Sequence, residues 1–140
     1  MRVLLEVSTA ASSLLERSCT GGWPQGCHLL AVAWHEGVGG PRDDAKARRL
    51  LEQACQAGLA AGCHDHGLFL YQGVGGPRNL SQARAAFARA CDADHAVSCL
   101  RLGLMCRGGE GGPRDQAKAR TMLKKACAAG VADACKEKDR

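Results

Sequence analysis

Gly73-Val-Gly-Gly-Pro-Arg78, followed by Asn79-Leu-Ser-Gln-Ala-Arg-Ala-Ala-Phe-Ala-Arg-Ala-Cys91, is the stretch whose reading decides the fold. The loop recurs as Gly37-Val-Gly-Gly-Pro-Arg42 and, with small changes, as Gly108-Gly-Glu-Gly-Gly-Pro-Arg114. The cysteines keep the same step of 36 residues (91 − 55 and 55 − 19): Cys19, Cys55, Cys91 and Cys127 form one series, and Cys27, Cys63, Cys99 and Cys135 a second. A fixed period of this length is the mark of a repeat architecture, and it changes how every other feature is read.

Each Gly-Pro-Arg is followed by Asp43, Asn79 or Asp115, short side chains that accept a hydrogen bond from a free N–H of the next turn and so open a helix. The segment Asp44-Ala-Lys-Ala-Arg-Arg-Leu-Leu-Glu-Gln-Ala-Cys55 is rich in strong helix formers and sets Ala47, Leu51, Ala54 and Cys55 on one face. This helix, B, ends at Gly58, Asp94 or Gly130, residue types that tolerate the left-handed conformation found after helix C-termini. A second apolar stretch follows at once, running to Gly73 in the middle unit, and forms helix A. Two helices per unit cannot bury their apolar faces alone, so the units stack on their neighbours. The expected fold is all-α: a right-handed α/α superhelix, or solenoid, of 36-residue helix-turn-helix repeats. One domain spans 1–140, with a partial repeat at 1–22, full repeats at 23–58, 59–94 and 95–130, and a partial repeat or charged cap at 131–140.

Composition agrees. Hydrophobic residues make up 46% and charged residues 24% of the 140, which suits a globular chain. Aromatics are only 4%, so the core must be built from Ala, Leu, Val and Cys, residues that allow closely spaced helices. The net charge of +5 is spread among acids rather than gathered in a block, and no nucleic-acid partner is expected. Met1-Arg-Val-Leu-Leu-Glu-Val7 begins like a secretory signal, but Glu6 interrupts the apolar run, so no signal peptide is read here. No apolar run reaches the length of a membrane span.

These residues resemble the Sel-1-like repeat family, a relative of tetratricopeptide repeats, over nearly the whole chain. The resemblance rests on Gly67, the loop glycines Gly73 and Gly75, the cap Asn79, Gln82-Ala83, and Ala90-Cys91 in place of Ala-Ala. His66 replaces the usual Leu, Leu70 and Cys106 replace the aromatic that Trp34 keeps, and Gly40, Gly76 and Gly112 replace a loop Val. The cysteines eight apart further resemble the Helicobacter cysteine-rich branch. That resemblance implies bridges from helix B of one unit to helix A of the next, Cys19–Cys27, Cys55–Cys63, Cys91–Cys99 and Cys127–Cys135. It also implies a secreted or periplasmic home, and weak penicillin binding or β-lactamase activity as an alternative function.

The spacing itself disfavours zinc, whose ligand pairs sit two to four residues apart. Disulfides place the chain in an oxidising, extracytoplasmic compartment, whereas eight reduced core thiols would place it in the cytosol, and both readings stand at this point. Cys106 occupies the position of Trp34 and Leu70 and is expected as a buried free thiol. His64 and His66 fall on different helix faces, so no metal site is expected, nor any cofactor. There is no Gly-x-Ser-x-Gly elbow or Ser-x-x-Lys pair, and the Gly-rich loops lack the Lys-Ser or Lys-Thr of a phosphate-binding loop. Arg42, Arg78 and Arg114 form a ladder read as a solvated rim. The functional surface is expected on the helix A face turned away from helix B, on the concave side: His28, Val32 and His35, then His64, Leu68 and Tyr71, then Leu100, Leu104 and Arg107. Its partner is expected to be a protein or peptide.

Overall fold

The computed structural model describes residues 12–140, and among these the chain is helices and turns with no strand. Residues 1–11, which hold Glu6 and the start of the partial repeat, lie outside the described residues. Helix α1 covers 12–20. It is followed by α2 (Pro24–Glu36), α3 (Asp44–Gln56), α4 (Ala60–Gln72), α5 (Leu80–Asp92), α6 (Ala96–Gly108), α7 (Gln116–Ala128) and α8 (Ala132–Glu137). The even-numbered helices are the A helices and the odd-numbered ones the B helices. Each packs mainly on its neighbours in the chain, as a solenoid requires.

The caps do what their side chains permit. Asp43, Asn79 and Asp115 accept hydrogen bonds from the backbone N–H of Lys46, Gln82 and Lys118, satisfying a donor that the first turn leaves free. At the other end of the B helices, Gly58, Asp94 and Gly130 adopt φ of 93°, 65° and 99°, so the chain reverses into the next A helix within three residues. Asp94 is the one residue other than glycine, among those described, that takes a positive φ.

The disulfides are formed across these reversals. Cys19–Cys27, Cys55–Cys63, Cys91–Cys99 and Cys127–Cys135 join each B helix to the following A helix, with Cα–Cα distances of 4.5, 4.3, 4.7 and 4.6 Å. Of the two readings of the cysteine spacing, the structure carries the stapled one. Cys106 is the remaining thiol and is fully buried in α6.

Small residues let the helices come close. Ala47, Ala83 and Ala119 are buried at the same register of α3, α5 and α7. Gly67 leaves room on α4 for the Phe87 ring, since a Cβ there would lie 2.7 Å from it, and Gly103 does the same on α6 for Leu123. Phe87, Leu70, Leu102, Met105 and Leu123 then form one continuous core through the second and third units.

A further tie between units comes from arginines in the first half of the B helices. The Arg48 guanidinium donates to the carbonyls of Val74 (3.4 Å) and Pro77 (2.9 Å), and Arg84 repeats this on Glu110 (3.2 Å) and Pro113 (3.0 Å). Each arginine therefore holds the Gly-rich loop of the next unit. Within that loop Gly75, at φ 73°, lies against the start of α3 so closely that a Cβ would overlap the Asp44 carbonyl. Gly75→Ala combines a left-handed backbone with that overlap and should lower unfolding free energy by about 2 kcal/mol or more. Gly40, which has open space around it, serves as the control, and Gly40→Ala should change stability by less than about 0.5 kcal/mol. Equal denaturation midpoints for the two variants would remove the loop-docking argument.

Candidate functional site

Helix B packs on the A-helix face that carries Gly26, Cys27, Leu30 and Ala31 in α2, Gly62, Cys63, Gly67 and Leu70 in α4, and Cys99, Leu102, Gly103 and Cys106 in α6. The remaining surface divides into a side turned toward the next A helix and a side open to solvent.

The row expected at His28, His64 and Leu100 faces the next unit. His28 Nε2 is 2.6 Å from Asp65 Oδ2, and His64 Nδ1 is 2.7 Å from Ser98 Oγ. Leu100 is buried, with 9% exposure, and joins the core, so its expected place on the open face is corrected. It belongs to the core that runs through the second and third units, contacts that the wheel of a single helix cannot show. The row at His35, Tyr71 and Arg107 is also engaged. His35 Nδ1 is 2.7 Å from Asp44 Oδ1, and its ring lies against Phe69 with centroids 5.1 Å apart. The Tyr71 hydroxyl donates to Glu110 Oε2 at 2.8 Å, and Arg107 donates to Glu137 Oε2 at 2.8 Å.

These ties set the local electrostatics. The Arg42 guanidinium, with His35, holds the Asp44 carboxyl below its ordinary range. Arg107 does the same for Glu137, and the Glu110 carboxylate raises the Tyr71 phenol. Arg42, Arg78 and Arg114 are all exposed, as a solvated rim requires, and within it Arg42 pairs with Asp44 at 2.9 Å, while Arg78 and Arg114 donate back to the carbonyls of Tyr71 and Arg107.

The third expected row, Val32, Leu68 and Leu104, is open to solvent in part. Val32 is 41% exposed, and Leu68 and Leu104 are partly buried against the core. Beside it the exposed positions are Leu29 at 48% and Val97 at 41%, with Arg101, Glu36 and Gln72 also exposed. In the first unit the exposed stripe runs through positions 25, 29, 32 and 36, one residue around the helix from the stripe expected at 28, 32 and 35. Of the equivalent positions only Gln72 is exposed in the second unit, while Val97 and Arg101 are exposed in the third. No cluster of three His, Cys, Asp or Glu suited to a metal occurs among the described residues. No helix of the described residues is long and apolar enough to cross a membrane.

The Sel1 repeat family profile matches residues 24–59, 60–95 and 96–131. This chain belongs to the Sel1 repeat family. Sel1 repeats form scaffolds that commonly engage other proteins. No curated protein matches the chain. Among solved structures it is similar to a Sel1 repeat protein from Oxalobacter formigenes, at 25% identity and TM-score 0.82, covering 89% of this chain and 94% of that one. It is also similar to Helicobacter pylori cysteine rich protein B, at 25% identity and TM-score 0.74, covering 95% and 96%. A third is a protective antigen present in uropathogenic Escherichia coli strains that displays the same fold, at 27% identity and TM-score 0.82. It covers 87% of this Sel1 chain and 26% of the antigen.

Reading the sequence missed two features of this Sel1 protein. Arg48 and Arg84 recur at the repeat step, which was a visible signal, but their targets lie in the next unit's loop and no local pattern points there. Ser98 sits between two histidines, with Oγ 2.7 Å from His64 Nδ1 and 2.9 Å from His95 Nδ1, and it has no counterpart serine in the other units.

Proposed function

We propose that this Sel1 repeat protein is an extracytoplasmic scaffold that holds an extended peptide or partner segment along the open flank of its A helices. The observation that supports it is the apolar row Val32, Leu68 and Leu104 on that flank, widened by exposed Leu29 and Val97. Exposed Leu29, Val32 and Val97, with Leu68 and Leu104 open in part, form an apolar surface that a partner gains by covering. Neighbouring A helices stand about 8–10 Å apart by ordinary helix packing. Three residues of polyproline II span about 9 Å, so a peptide with apolar residues at every third position matches the row one residue per unit. Exposed Glu36 at the first unit and Arg101 at the third favour a segment that is basic at one end and acidic at the other.

Four B-to-A disulfides support a home in an oxidising compartment, where such bonds persist. The similar cysteine rich protein and the protective antigen agree with that reading. The alternative, penicillin binding with weak β-lactam hydrolysis, needs an exposed nucleophile beside a base. Ser98 does sit against histidines, but it has no exposed surface, and this favours the scaffold reading.

Peptides selected from a random library on the oxidised protein test the proposal. Leu29→Asp with Val32→Asp should weaken the selected peptides at least about ten-fold, since each removes an apolar contact and places a charge on the row. Arg49→Asp, on exposed helix B surface, should leave affinity unchanged. Binders indifferent to the first pair, or no binders at all, would sink the reading.

A further inference from the structure

We propose that the joint between the second and third units is an acid-sensitive hinge, in which protonation of the His64–Ser98–His95 relay releases α4 from α6. The relay lies where the two A helices meet. Ser98, in the first turn of α6, has 0% exposure, and its Oγ is within hydrogen-bond distance of both His64 Nδ1 (2.7 Å) and His95 Nδ1 (2.9 Å). The two imidazoles are stacked, with centroids 4.5 Å apart and an interplanar angle of 28°.

A serine hydroxyl has one proton to give. It donates to one Nδ1 and accepts an N–H from the other, which requires one ring as the Nδ1–H tautomer and one with Nδ1 bare. The ring with a bare Nδ1 is then neutral, while the Nδ1–H ring can carry a second proton on Nε2 without loss of the bridge. Protonating the bare ring at Nδ1 puts a second N–H opposite the oxygen and leaves a buried hydroxyl proton with no acceptor. Protonating both sets two like charges face to face. The surrounding groups favour the neutral form on balance. Phe87 of α5 lies against the His64 ring, with centroids 5.7 Å apart, and desolvates it. Arg101 of α6 adds positive charge. Asp65 of α4 opposes these effects, but it is shared with His28 of α2 at 2.6 Å. Burial first, then His95, pushes the His64 imidazole down from 6.5 to about 4.

The sign follows from linkage. The unfolded or opened state binds the proton more tightly, so the joint is at full strength above pH 6.5 and weakens as pH falls toward 4. Between pH 7 and 5 the opening constant rises by up to about twenty-fold, and by about five- to ten-fold once solvent screening of the half-buried ring is allowed for. The Cys91–Cys99 staple ties α5 to α6 throughout, so opening is a swing at the A-helix side rather than separation of the units. If the open A-helix flank holds a peptide, as proposed above, that swing bends the same surface, but the titration of the joint does not depend on a partner.

Backbone amide exchange on the oxidised protein at pH 7 and pH 5, corrected for the intrinsic pH dependence of exchange, tests the hinge. Protection in α4 and α6 should fall about five- to ten-fold at pH 5 while α2 and α3 change little, and His64→Gln should retain its protection. Unchanged protection at pH 5 in the wild type, or an equal loss in His64→Gln, overturns the hinge. Should His64→Gln fail to fold, an NMR titration of the wild-type imidazoles decides. A His64 ring that stays neutral well below pH 6.5 supports the hinge, and one that titrates at its ordinary value overturns it.

Discussion

Phe87→Ala should lower the unfolding free energy by about 3–5 kcal/mol, the largest loss from any single side chain in this protein. Phe87 is 1% exposed and is among the largest fully buried side chains among the described residues. Its ring fills the space that Gly67 leaves on α4, where a Cβ would lie 2.7 Å from the ring. Truncation therefore opens a cavity whose facing residue has no side chain with which to fill it, and the loss should fall at the upper end of the range. The ring also covers His64, so the second unit loses its grip on the third at the same place. Urea denaturation of the oxidised variant reads the effect. A loss below about 1 kcal/mol would mean that the units do not depend on this contact.

Reducing the staples should have a still larger effect. Each bond closes a short loop, with its cysteines 8 apart in sequence, and limits the unfolded chain by about 2–3 kcal/mol in loop-entropy terms. Four such bonds sum to roughly 10 kcal/mol, comparable to the whole stability of an ordinary domain, about 5–15 kcal/mol. The reduced chain should lose its cooperative thermal transition or show it tens of degrees lower, read by circular dichroism with and without a reductant. A reduced protein that melts where the oxidised one does would show that packing alone holds the repeats. The geometry explains why the effect should be cooperative. The staples span the B-to-A reversals, while the Arg48 and Arg84 clamps and the Phe87 core span neighbouring units, so loosening a reversal strains all three.

The fold was legible because its determinants are local and repeated. Asp43, Asn79 and Asp115 act within one turn, Gly58 and Gly130 act at one residue, and the cysteines lie within one reversal. Each can be read from a short window and checked against its copies at the 36-residue step. The candidate site was legible only in part, because its surface depends on how one unit leans on the next. A helical wheel placed His28, His64 and Leu100 opposite helix B, but packing turns that row inward: His28 meets Asp65, His64 meets Ser98 and Phe87 of α5, and Leu100 is buried. Val32 stays exposed, while Leu68 and Leu104 are partly buried against the core. Ser98 stayed invisible because it departs from the repeat, and a position without copies gives no periodic signal.

Thiol counting tests the central claim, a Sel1 solenoid stapled at every turn from B to A helix. The protein is purified without reductant, alkylated in denaturant, and weighed intact before and after reduction. One thiol, Cys106, should be labelled before reduction and nine after it. Nine labelled thiols at the outset would contradict it, removing both the staples and the extracytoplasmic assignment that rests on them.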